Sequence, residues 1–157
     1  MNKSRPTTRR SRTSLRQGVA AVECAFVAPL LAFLVLGAID VGQCANVYQK
    51  VSDASRKGAR VAARFDSTTT SEVVAEVMDY LEETSPGVSA STLNAATVVT
   101  ITDAEGKTYA GGDLTKIPAG SQVTVQVTIQ FDSVRWIGVV PSLDGSNVTA
   151  TTMMRRE

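Results

Sequence analysis

Residues 18–43, GVAAVECAFVAPLLAFLVLGAIDVGQ, decide the fold. From Val19 to Ile39 the run is apolar or small apart from Glu23. As a helix this segment spans about 30 Å, the thickness of a bilayer's hydrocarbon core. Its Val, Leu, Ile and Phe side chains favour insertion by roughly −3 to −7 kcal/mol. One acid at the centre costs roughly +3 kcal/mol, and less near an end. Insertion therefore survives Glu23. Pro29 removes one backbone hydrogen bond and is expected to bend the helix, which membrane helices tolerate.

The flanks give the run a direction. The 157-residue chain has a net charge of +1, yet Lys3, Arg5, Arg9, Arg10, Arg12 and Arg16 precede the run with no acid among them. The remainder of the chain carries a net negative charge. A basic flank directly before an apolar helix is the positive-inside signal, so no nucleic-acid partner is expected. Residues 2–17 are polar and rich in Ser and Thr, and are expected to be disordered. The apolar residues that a twin-arginine signal needs after Arg9-Arg10 are missing. No A-x-A site for a signal peptidase follows the run, and Gln43 occupies the position before Cys44 where a lipoprotein signal needs a small residue. The segment is expected to stay as an anchor.

Beyond the run, helix is expected to continue from Val41 to Phe65, with one face made by Val41, Cys44, Ala45, Tyr48, Val51, Ser55, Gly58, Ala62 and Phe65. Ala54, Gly58 and Ala62 recur four apart, a row that lets two backbones approach closely, either within the chain or between copies. Lys50, Arg56, Lys57, Arg60 and Arg64 read as a solvated face. Thr69 and Glu72 have capping-box spacing, ahead of a short amphipathic helix with an apolar stripe of Val73, Val74, Val77, Met78 and Leu81. The period then changes to two. Thr97–Asp103 and Asn147–Met154 read as strands. Gln122–Phe131 alternates perfectly and predicts a half-buried antiparallel strand. Val134–Pro141, with Trp136, is an apolar connection expected to cover the sheet. The fold class is α+β: a long N-terminal transmembrane helix extended outside the membrane, a short second helix and a small antiparallel β-sheet.

The sequence has no histidine, which removes the commonest general base and metal ligand. Cys24 and Cys44 are about 30 Å apart on one helix and cannot bridge within a chain. No nucleophile elbow, phosphate loop or paired-cysteine spacing is present. No enzyme activity, metal or cofactor is expected. The unusual chemistry is Glu23, an ionisable group inside a membrane span.

Gly18 followed by Val19-Ala20-Ala21-Val22-Glu23 resembles the processing site of type IV-like prepilins. The longer run, with Ala25, Pro29, Gly37, Asp40 and Gly42, resembles the TadE-like family of pseudopilins from tight-adherence (Flp) pilus systems. Gly58-Ala59-Arg60 and the closing Met154-Arg155 are similar to later parts of that family. Cys24 departs from the pattern, which usually has an aromatic residue after the glutamate.

The resemblance implies that a prepilin peptidase cuts between Gly18 and Val19. Residues 1–18 then form a removable leader, 19–42 the transmembrane helix, and 43–157 an extracytoplasmic, pilin-like α+β domain. It also implies that Glu23 meets a neighbour's new amine during assembly. An unpaired carboxylate is costly in low dielectric and a paired one far less so, so the charge favours one axial register. The function implied is that of a non-catalytic minor pilin or pseudopilin in the bacterial inner membrane. Its partners are the peptidase, other pilin subunits and the assembly machinery, and its exposed domain is periplasmic. The alternatives are an uncleaved single-pass protein with an extracytoplasmic binding domain, and a secreted domain whose signal peptide is removed.

Overall fold

The computed structural model describes residues 13–136, 138 and 140–157. The residues before Thr13, with the Arg9-Arg10 pair, lie outside the described residues.

Alternation from Gln122 sets the middle strand of the sheet. β1 (Thr97–Asp103), β2 (Gln122–Gln130) and β3 (Asn147–Arg155) form an antiparallel meander in that order. Val123, Val125, Val127 and Ile129 of β2 are all at most 2% exposed. Val127 stands between Val99 and Ala150, and Val125 between Ile101 and Thr152. On the opposite face Thr128 and Thr149 share a 3.0 Å hydroxyl contact. Phe131 continues the alternation in burial but not in backbone, because it opens a 3-10 turn, Phe131–Ser133. The turn after β1 is built on Asp103. Desolvation alone raises its carboxyl pKa, but hydrogen bonds from the Lys107 and Glu105 amides and the Tyr109 hydroxyl outweigh that and hold it below the ordinary carboxylate range.

Helices cover the sheet's buried face in a two-layer arrangement. The long helix α1 (Thr13–Ala63) carries the domain on its last turns, and α2 (Thr70–Thr84) lies beside it. α1 begins at Thr13, so residues 13–17 are helical where a disordered tail was expected. Extending an existing helix adds one hydrogen bond per residue without a new nucleation cost. The α2 stripe is Thr70, Val73, Val77, Met78 and Leu81, while Val74 is 37% exposed. Thr69 is the N-cap as its spacing predicts, but its side chain accepts no capping hydrogen bond. Its backbone pairs with Asp113, and the Glu72 carboxylate accepts from the hydroxyls of Ser67 and Thr68 instead. The capping box is therefore not closed.

A third helix, α3 (Ala90–Ala96), was not foreseen. Ser89 caps it by accepting from the Thr92 amide, and Leu93 and Ala96 enter the core.

Candidate functional site

The residues singled out from the sequence fall into two groups on α1. Gly18, Val19, Glu23 and Pro29 lie where every side chain from residue 18 to 36 is exposed. Val19, Phe26, Leu30 and Phe33 are each more than 60% exposed. No described residue forms an ion pair with Glu23. The helix is long and apolar enough here to cross a membrane, and it stays helical through Pro29. Gly18 meets no heavy atom within 4 Å of a Cβ built on it. Packing among the described residues therefore makes no steric demand for glycine at position 18, although glycine inside a helix costs about 1 kcal/mol.

Ala54, Gly58 and Ala62 lie roughly 50 Å further along the axis from Glu23, inside the domain. Ala54 and Ala62 are fully buried. A Cβ on Gly58 would stand 2.6 Å from Val77 Cγ2 and 3.4 Å from side-chain carbons of Val73 and Val125. The glycine lets α2 and β2 approach α1 closely. Ser55 adds a polar tie, its hydroxyl 2.7 Å from that of Thr152 on β3.

The buried stripe of α1 is rotated from the expected one near the apolar run. Val41 and Tyr48 are more than half exposed, while Asp40 is fully buried and Cys44 and Val47 pack against the core; Phe65, also exposed, lies past the end of α1 at Ala63. The cause is the connection between β2 and β3. Past Val134 it leaves the sheet and returns to α1, contrary to its expected role as a cover for the sheet. The Trp136 amide donates to Gln43 Oε1 at 3.2 Å, and the Val140 amide to Asp40 Oδ2 at 2.9 Å. Within this connection Arg135 pairs with Asp132 at 3.2 Å and with Asp144. The Asp144 contact raises the guanidinium pKa; burial opposes it, and the charges of Asp132, Asp144 and Asp40 add to it.

Sequence reasoning also missed how α1 ends. Arg156 is 5% exposed. Its guanidinium donates to the carbonyls of Ala62 at 3.2 Å and Ser67 at 3.0 Å, and the Glu157 amide donates to Ala63. A cation here satisfies helix-end carbonyls and complements the helix dipole. Only the run of charged residues closing the chain hinted at it, and that run names no partner. The basic residues on α1 itself point elsewhere: Arg56 pairs with Asp53 at 3.1 Å, and Lys57 lies 4.3 Å over the Tyr80 ring. Among the described residues no cluster of His, Cys, Asp or Glu is placed to hold a metal ion.

An apolar helix of spanning length, opening on Gly18 and Glu23 and running without a break into a domain closed around Gly58, is one continuous pattern. Residues 18–60 match the family model of TadE-like proteins. The TadE-like segment thus covers the exposed half of α1 and most of the buried half. The match ends before α2, so the sheet domain lies outside it. No curated protein and no solved structure matches the chain.

Proposed function

We propose that this protein is a non-catalytic minor pilin or pseudopilin of a tight-adherence pilus system, made with a basic leader that prepilin peptidase removes between Gly18 and Val19. The observation that carries the reading is the TadE-like match over residues 18–60, which begins at the very glycine the cut requires. The exposed glycine supports it, because no described residue demands glycine at position 18. Gly42 shares that freedom, so it is the position before Val19 and Glu23 that gives Gly18 its meaning.

Cleavage removes the basic leader and frees the Val19 amine. Glu23, four residues on, is then a carboxylate near the new chain end with no partner of its own among the described residues. A neighbour's amine supplies the missing charge, and the pairing sets axial register between copies. The exposed apolar side chains meet lipid before assembly and other subunits after it. The sheet domain stands on the far side of the inner membrane.

The mass of the mature chain tests the cut. Co-expression with a prepilin peptidase should give a chain that starts at Val19, and Gly18→Ala should give one that keeps its leader. A wild-type chain that retains Met1 would favour the uncleaved single-pass reading. A start near residue 45 would favour a secreted domain.

A further inference from the structure

The connection between β2 and β3 is fastened to α1 at the outer end of the apolar run. The Trp136 and Val140 amides donate hydrogen bonds to Gln43 and Asp40, and the Val140 side chain lies 3.9 Å from where a Cβ on Gly37 would stand. Gly37 is inside the expected span, and Gln43 is about 6 Å beyond Ile39 along the helix. The loop therefore sits at the level where hydrocarbon gives way to headgroups.

Its composition suits that level. Trp136 is 76% exposed. An indole has a large apolar ring and one N–H donor, the combination favoured at membrane–water interfaces. The adjacent cation, Arg135, is already neutralised by Asp132 and Asp144. Asp40, the acid at the rim of the run, is fully buried. The loop thus keeps a costly charge from facing lipid.

We infer that Trp136, in the connection between β2 and β3, is a membrane-interface anchor whose partner is the bilayer itself, with its indole seated among the headgroups. This rests on α1 spanning the membrane. With the helix and the loop both engaged, the sheet domain is held at two points and takes one orientation on the bilayer.

Trp136 is the chain's single tryptophan, so its fluorescence reads the loop directly. The full chain is reconstituted into phosphatidylethanolamine–phosphatidylglycerol vesicles containing phosphatidylcholine brominated at different depths, and vesicle flotation is scored on the same samples. The expected result is a blue-shifted emission with loss of intensity, greatest for bromines nearest the headgroup. A chain that floats with the vesicles while its emission stays water-like and unquenched overturns the anchor and leaves the membrane span standing. Strongest quenching by the deepest bromines also overturns the interfacial placement. A chain that does not float removes the span, and the anchor with it.

Discussion

The two halves of α1 share one backbone and have opposite surroundings. From Gly18 to Leu36 every side chain is exposed, and the large ones are Val, Leu and Phe. From Val51 to Ala63 the buried positions are mostly small: Ala54, Ser55, Gly58, Ala59 and Ala62. Bulk without neighbours calls for lipid or another subunit to cover it. Small residues with crowded neighbours mark a helix whose backbone is itself part of a core. Hydrophobicity alone would rank the halves the wrong way round, since the more apolar half is the one outside the core. Side-chain size relative to the space around it separates them.

The contrast breaks most visibly at Gly58. Gly58→Val places a branched side chain where even a Cβ meets Val77 at 2.6 Å. The domain should lose about 3 kcal/mol, at the upper end of overpacking costs. Val35→Ala, in the exposed half, should leave the same urea or thermal transition unmoved. Equal stability for the two variants would mean that α1 and α2 have room to part.

A smaller loss is expected at the seam that closes the second half. Arg156→Ala leaves the Ala62 and Ser67 carbonyls without their charged donor. Hydrogen bonds to charged groups contribute about 1.5–3 kcal/mol, so a loss near 2 kcal/mol should appear in denaturant titration. Arg156→Lys should recover part of it, because one ammonium cannot reach both carbonyls with Arg's fork geometry. An unchanged midpoint would place the end of α1 under the control of the strand alone.

Much of this was legible from residue order. The apolar run, the α2 stripe and the three strands follow from local periodicity, and the strands began at Thr97, Gln122 and Asn147 as read. What periodicity missed depends on contacts far apart in sequence. Arg156 meets Ala62 across almost the whole domain, and no local pattern encodes that pair. The Trp136 loop reads as a sheet cover because its composition is apolar; its return to Asp40 depends on where β2 delivers it. The same return rotates the α1 stripe away from Val41 and Tyr48. α3 is too short for a period to show, and only its Ser89 cap marked it. Gly18 stood out only through resemblance, since an exposed helix surface leaves no packing signature; Glu23 stood out as an acid in an apolar run, and only its proposed role came from the resemblance.

The division of α1 into an assembling half and a folding half is tested most directly by Glu23→Gln, measured in one strain for domain stability, membrane insertion and incorporation into pilus assemblies. The expected result is an unchanged thermal transition and normal insertion, with incorporation lost. Normal incorporation would show that Glu23 is a passive acid in the span. A lowered thermal transition would show that the two halves are not separate.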